Sequence, residues 1–224
     1  MKVNLISYSK PSEEHSSLGL VDAQELVAFC ARVSNPSNQL NSGTSENLIK
    51  YLVKHKHWSP LEMVSVCLEI ETTRDIARQL LRHRSFSFQE FSQRYADPVK
   101  ELSFVTRESR LQDDKNRQNS VSHQDQPLED EWQRRQLEIL ELVKDSYSWA
   151  RDNGIAKEQA RVILPEGLTT SRVYVNGTLR SWVHYIDLRS SNGTQLEHAN
   201  IAIECAKVIT KIFPVIEQFN GDSK

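Results

Sequence analysis

Arg82-His83-Arg84, followed after seven residues by Ser92 and then Arg94-Tyr95, gathers guanidinium, imidazole and hydroxyl groups within one short stretch. Guanidinium groups bind phosphate through paired charge-assisted hydrogen bonds, and serine hydroxyls complete the oxygen shell, so the pattern is that of an anion site. Glu90 lies among these cations. A bare phosphate clamp gains nothing from a carboxylate, whereas a nucleotide also presents ribose hydroxyls and base N–H groups that a carboxylate can accept. A solvated ion pair is the other reading of Glu90.

Local elements must aim these groups. Thr72-Thr73-Arg74-Asp75 resembles a capping box with Thr72 as the cap, and Ile76, Ala77, Leu80 and Leu81 follow at helical period. The spacing predicts a helix reaching about Arg84, with Arg78, Gln79 and Arg82 on the face away from the core. An arginine-rich face is also what a solvated helix presents, and spacing alone leaves both readings standing. Beyond it, Glu90, Ser92 and Arg94 alternate and would share one wall if the chain is extended.

A second constellation lies in the C-terminal half. Arg161-Val162-Ile163-Leu164-Pro165 precedes Leu179-Arg180-Ser181-Trp182-Val183-His184-Tyr185-Ile186-Asp187-Leu188-Arg189. Arg180, His184 and, more loosely, Arg189 recur near helical spacing among apolar and aromatic side chains that leave little exposed face. Enclosed cations need anionic partners. Ordinary exposed cations on a helix are the alternative.

The remaining pattern sets the frame. The 224 residues, 38% hydrophobic and 26% charged, suit a single soluble domain spanning 1–224. A formal net charge of −2 gives no global positive field to recruit nucleic acid. Met1 to Tyr8 reads as a strand without the apolar region of a signal peptide, and no stretch would span a bilayer, so a cytoplasmic protein without membrane contact is expected. Helices are predicted at Val21–Val33, Ser45–Lys56, a long one through Leu137–Ala150, a short one at Ala160-Arg161, and others at Thr178–Leu188 and Gln195–Phe213. Alternation marks strands at Val64–Ile70 and Thr169–Val175, and Asn176-Gly177 reads as a turn. The polar run from Arg107 to Glu131 reads as a solvated insertion or mobile loop. Strands with segregated helices make an α+β fold. Too few glycines are arranged for a dinucleotide fingerprint, which argues against a Rossmann fold.

Cys30, Cys67 and Cys205 sit apart in apolar surroundings and read as buried free thiols. His55-x-His57 lacks a third ligand at a telling spacing, so no metal is expected. Ser92 has no nucleophile elbow around it.

The Arg-His-Arg, any seven, Ser pattern resembles the signature of flavin-dependent thymidylate synthases. His57-Trp58-Ser59-Pro60-Leu61-Glu62, the Arg161–Pro165 block and the Arg180–Arg189 block resemble the same family, in its order. The resemblance implies the fold of thymidylate synthase-complementing proteins, a mixed and largely antiparallel sheet. It implies FAD against His57, Ser59, Arg82, His83, Arg84, Glu90, Thr178, Arg180 and His184. It implies dUMP against Gln79, Arg82, Glu90, Ser92, Gln93, Arg94, Arg161 and Arg189, with Arg189 facing the pyrimidine as the catalytic group. Thr178 stands near where some members carry asparagine. The implied reaction is reductive methylation of dUMP to dTMP, with 5,10-methylenetetrahydrofolate as one-carbon donor and NADPH as reductant. A homotetramer with active sites shared between subunits is also implied. Two rivals follow from the same residues: a non-catalytic nucleotide or RNA-binding module using Phe86, Phe88 and Phe91 for stacking, and a flavoprotein reductase without methyl transfer.

Overall fold

The computed structural model describes residues 1–191 and 193–219. In chain order, β1 (Lys2–Tyr8), α1 (Glu13–Ser17), α2 (Ala23–Ala31) and α3 (Ser45–Lys54) precede β2 (Ser65–Thr73), α4 (Arg74–Leu80) and β3 (Ser87–Glu90). After α5 (Pro98–Glu101), β4 (Leu111–Gln112) and β5 (Ser120–Val121), the 27-residue α6 (Gln126–Asp152) leads to α7 (Lys157–Ala160), β6 (Thr170–Thr178), α8 (Leu179–Arg189) and α9 (Leu196–Thr210).

Four strands form one sheet in the order β1-β2-β6-β3, and every pairing is antiparallel. Alternation explains its two faces. Val66, Leu68 and Ile70 of β2 and Val173 and Val175 of β6 are fully buried, and α4, α8 and α9 pack on the sheet. Glu69, Glu71 and Arg172 point to the opposite, wetter face, where Arg172 pairs with Glu71 at 3.0 Å. Helices are thus segregated from a largely antiparallel sheet, as the α+β expectation has it. Trp182, fully buried on α8, donates its indole N–H to the Val66 carbonyl at 3.0 Å and fixes this helix to the sheet. Among the described residues, no helix is long and apolar enough to cross a membrane.

Two expectations are corrected and a third is refined. Asn176-Gly177 is not a turn: both residues continue β6, pairing with Cys67 and Val66. Gly177 is there because Phe86 lies over it. A Cβ at this position would stand 2.3 Å from the Phe86 ring. Gly177→Ala must displace a ring packed at 4.6 Å against Trp182, and a loss of about 1–3 kcal/mol is expected in a denaturant melt. An unchanged melt would show that the ring has room to move.

The α4 start also differs. Thr73, not Thr72, occupies the cap position, and its hydroxyl donates to Asp75 Oδ1 at 2.6 Å instead of accepting from the backbone. The first helical N–H groups are satisfied from across the fold, Arg74 by the Thr169 carbonyl at 2.9 Å and Asp75 by that of Glu166 at 3.2 Å. At the other end α4 stops at Leu80, and the Arg82 and His83 N–H groups bond the carbonyls of Gln79 and Leu80 in tight turns.

The polar run 107–131 is largely exposed, as a solvated insertion would be, but it has regular structure: it holds the β4–β5 hairpin and the first turns of α6, whose cap is Asp125, accepting from Leu128 N–H at 3.1 Å. Buried Gln136 brackets the Arg107 peptide, accepting from its N–H and donating to its carbonyl, each at 2.8 Å. The Arg107 guanidinium then reaches Thr73 and Asp75, both at 2.7 Å, and ties the segment to the start of α4.

Candidate functional site

The turn after α4 and the inward faces of α8 and α9 meet at one polar cluster. Arg189, at the end of α8, donates its Nε–H to Nε2 of His83 at 2.9 Å. An accepting Nε2 places the His83 proton on Nδ1 and leaves the ring neutral. Burial, then the nearby Arg189 charge, holds its pKa down at about 4. The ring packs edge-on against Tyr185 at 4.9 Å, with His198 of α9 at 6.2 Å. His198 is fully buried and likewise depressed to about 4, by burial first, then by the Arg189 charge, and last by the repulsion that would arise if His83 were protonated too. Gln79 connects to this cluster through His198 Nδ1 at 3.1 Å and donates to Gln195 Oε1 at 2.7 Å.

Both histidines stay neutral in the native protein below their usual 6.5. Unfolding therefore takes up protons between about pH 6.5 and 4. Stability is constant above that window and falls as pH drops through it, by up to about 1.4 kcal/mol per pH unit for each ring. Thermal melts from pH 8 to 4 should show this decline, and its absence in the His83→Asn, His198→Asn double variant would assign it to these two rings.

Glu90, at the end of β3, is enclosed by protein donors. Arg78 reaches both its oxygens at 2.8 and 2.7 Å, the Ser171 hydroxyl donates at 2.9 Å, and Arg74 lies 3.5 Å away. Any ligand hydroxyl accepted by Glu90 must share it with Arg78, which is half exposed and able to swing away. The chain turns after Glu90, so the shared wall expected for Glu90, Ser92 and Arg94 does not form: Tyr95 and Ala96 N–H groups both bond the Ser92 carbonyl. Ser92 and Arg94 instead open onto a shallow surface with Tyr95, Arg151 and Lys157, and Arg94 pairs with Glu158 at 3.2 Å. Gln93 turns inward, 3% exposed, with its amide nitrogen unpartnered.

The start of α8 makes a third group. Thr178 caps the helix, accepting from Ser181 N–H at 3.3 Å, and the Ser181 hydroxyl donates to the Ser85 carbonyl at 3.2 Å, bringing the Arg84-Ser85 turn alongside. Arg180 pairs with Glu62. His184 meets the Trp58 ring edge-on at 4.6 Å, and burial followed by the Arg180 charge lowers its pKa. Ser59 is exposed at the start of the adjoining 3-10 turn, Ser59–Met63, and His57 is exposed near Tyr51 and His55. Arg161 sits in a short turn after α7.

Arg82, Arg84 and Arg161 make no ion pair with any described residue, unlike Arg74, Arg78, Arg94 and Arg180. Arg82 and Arg84 are exposed, on either side of His83. Two unpaired guanidinium groups beside a neutral imidazole fit a phosphate-bearing ligand. Of the three rings an RNA-binding module would stack on, Phe86 is in the core, Phe88 is half-buried against it and Phe91 is half-buried. Cys205 lies in the core, whereas Cys30 and Cys67 are half-buried and not fully buried as expected; burial pushes up all three thiols, so none is an activated thiolate.

The family description "Thymidylate synthase complementing protein" matches residues 18–215. The chain belongs to this family. A probable flavin-dependent thymidylate synthase of Paramecium bursaria Chlorella virus 1 is 46% identical over 216 residues, covering 96% of this chain and 97% of the relative. A flavin-dependent thymidylate synthase of Synechocystis is 43% identical over the same shares. Among solved structures, a UMP/dUMP methylase from Streptomyces cacaoi bound with 5-Br dUMP superposes with a TM-score of 0.79 at 26% identity, over 97% of this chain and 93% of that one.

Several residues around these clusters escaped sequence reading. Ser171 and Glu166 surround the Arg74–Arg78–Glu90 cluster from a distant segment, and Gln195 and His198 reach Gln79 from the start of α9, with Glu197 accepting from Gln195. The polar run Gln195-Leu196-Glu197-His198 opening an otherwise apolar helix was the available signal. A cavity of about 540 Å³, lined in part by Glu71, Thr73, Arg107, Ser171, Arg172 and Glu197, contains none of the expected ligand residues. It adjoins them through Ser171, which donates to Glu90.

Proposed function

We propose that this enzyme converts dUMP, 5,10-methylenetetrahydrofolate, NADPH and a proton into dTMP, tetrahydrofolate and NADP⁺, with FAD as its flavin. A flavin-dependent thymidylate synthase reading is the one its family membership supports. The observation that carries the assignment of residues is Arg189 bound to a neutral imidazole. Because His83 contributes no negative charge, the guanidinium keeps its positive field at that contact and its remaining N–H groups for a ligand. Facing the uracil ring, Arg189 stabilises negative charge on N3 or a carbonyl oxygen as C5 becomes nucleophilic. It stays protonated and removes no proton itself.

Arg82, Ser92, Arg94 and Arg161 hold the dUMP phosphate, and Gln79, Glu90 and Gln93 orient its sugar and base. Arg82, His83, Arg84 and Glu90 face the flavin on one side, and His57, Ser59, Thr178, Arg180 and His184 on the other. A bound flavin supplies the two-electron step that turns the transferred methylene into a methyl group. The protein's share is binding, orientation and the electrostatic field.

Ser92, Arg94 and Arg161 make no hydrogen bond or ion pair with Arg82 or Arg189 among the described residues, which suits active sites completed by a neighbouring subunit in a homotetramer. Leu128, Trp132, Ile139, Leu142 and Trp149 of α6 supply an apolar face for such assembly, 40–66% exposed and spaced by four, seven, three and seven residues. Leu142→Arg with Trp149→Arg is expected to lower the mass seen by light scattering. A monomeric parent protein would remove the tetramer from this reading. The reaction's place is the cytoplasm.

The visible spectrum of the purified protein is the direct test. Flavin bands that NADPH bleaches anaerobically, with dTMP appearing on addition of dUMP and methylenetetrahydrofolate, are expected. A protein that stays colourless and inactive with added FAD, yet binds oligonucleotides with steep salt dependence, would favour the binding module. Yellow protein that releases no tritium from C5-labelled dUMP would favour the reductase.

A further inference from the structure

A directional chain of hydrogen bonds runs from the polar hairpin segment to Gln79. Arg110 Nη2 donates to Glu197 Oε1 at 2.6 Å, and both side chains are largely buried. Gln195 Nε2 donates to the other Glu197 oxygen at 3.0 Å, so the Gln195 carbonyl oxygen faces the opposite way. That oxygen accepts from Gln79 Nε2 at 2.7 Å, which turns Gln79 Oε1 toward His198 Nδ1 at 3.1 Å. An amide oxygen only accepts, so Nδ1 of His198 must carry the proton.

The chain has one consistent direction, and its origin is a charge. Glu197, held by Arg110, accepts and never donates, so the orientation of both amides and the tautomer of a fully buried histidine follow from it. Gln79 then has one N–H and one oxygen lone pair unused. A freely flipping amide would present donor and acceptor interchangeably, and a pyrimidine edge distinguishes the two.

We propose that Glu197 and His198 are positioning residues that lock the amide of Gln79 in one orientation for recognition of the pyrimidine nucleotide. The proposal rests on the reading above, in which Gln79 contacts dUMP. Neither positioning residue needs to touch the ligand. Glu197 acts through Gln195, and His198 acts by donating from Nδ1.

His198→Asn places an amide N–H where Nδ1 stands, whereas His198→Leu fills a similar volume without a donor. Glu197→Gln keeps the shape and removes the fixed acceptor. Titrations of dUMP onto the flavin-loaded protein are expected to show Kd raised about tenfold in His198→Leu and Glu197→Gln, and close to the parent value in His198→Asn. Flavin content should be unchanged in all three. Nitrogen-15 NMR of the parent protein is expected to show His198 neutral with its proton on Nδ1.

Parent-like dUMP affinity in His198→Leu, or equal weakness in the Asn and Leu variants, would overturn the proposal, because packing and not donation would then decide binding. A proton found on Nε2 would overturn it even if no variant folds. Should the parent protein itself fail to bind dUMP, the nucleotide reading fails, and the tautomer measurement still judges the locked amide separately.

Discussion

Replacing Arg189 by alanine is expected to reduce dTMP formation by about 10²–10³-fold while leaving flavin bound, measured as single-turnover rates on protein whose visible spectrum is unchanged. Arg189 is the cation whose contact within the chain is a neutral ring, so its loss removes field from the reacting region without stranding a buried carboxylate at that contact. The fold should tolerate the change, since α8 is held by Trp182 on Val66 and by the Thr178 cap, both far up the helix from its last residue. His83 reports on the same substitution. Its pKa of about 4 owes its larger part to burial and its second to Arg189, so the alanine variant should carry a His83 titration moved upward toward 6.5. Lysine at position 189 should restore part of the rate, as a point charge without the planar fork of donors. Loss of flavin in the alanine variant would contradict the division of roles, because Arg189 would then be part of the cofactor's surface.

The sequence disclosed the cluster around Arg189 unevenly. Arg82, His83 and Arg84 were visible because two guanidinium groups around an imidazole, followed by Ser92 and Arg94, make the pattern of an anion site, and α8 was visible from its apolar spacing. The sheet was legible in β2 and β6, where alternation of Val66, Leu68, Ile70, Val173 and Val175 with polar residues reflects one buried face. Asn176-Gly177 misled because turn preference is local, whereas Gly177 answers to the Phe86 ring from another segment. The end of α4 was overextended for a related reason. Helical spacing continues through Arg82, but the chain turns there to bring His83 inward against Tyr185. The 107–131 run is solvated as expected, but its hairpin and its ties to the fold were not legible because they come from polar contacts, Arg107 to Asp75 and Arg110 to Glu197, which carry no hydrophobic periodicity. Pairings separated by dozens of residues have no local signature, and the Gln79–Gln195 contact is of this kind.

Arg82 provides the complementary case, in which binding should change and stability should not. It is exposed and makes no ion pair with the described residues, while its neighbours Arg74 and Arg78 are engaged by Glu90 and Glu166. A surface guanidinium without a partner adds little to folding, so Arg82→Ala is expected to melt within about 0.5 kcal/mol of the parent protein. Holding the dUMP phosphate, as proposed, the same guanidinium would form charge-assisted pairs. Its removal should cost at least about 2 kcal/mol, roughly thirtyfold in Kd for dUMP by isothermal titration. Arg78→Ala should behave in the opposite manner. Arg78 neutralises Glu90, and removing it frees that carboxylate for a ligand hydroxyl while leaving its charge covered only by Arg74 and Ser171. A destabilised Arg82 variant with unaltered nucleotide affinity would reverse the assignment, making Arg82 part of the scaffold and returning Arg78 as the free cation of the pair.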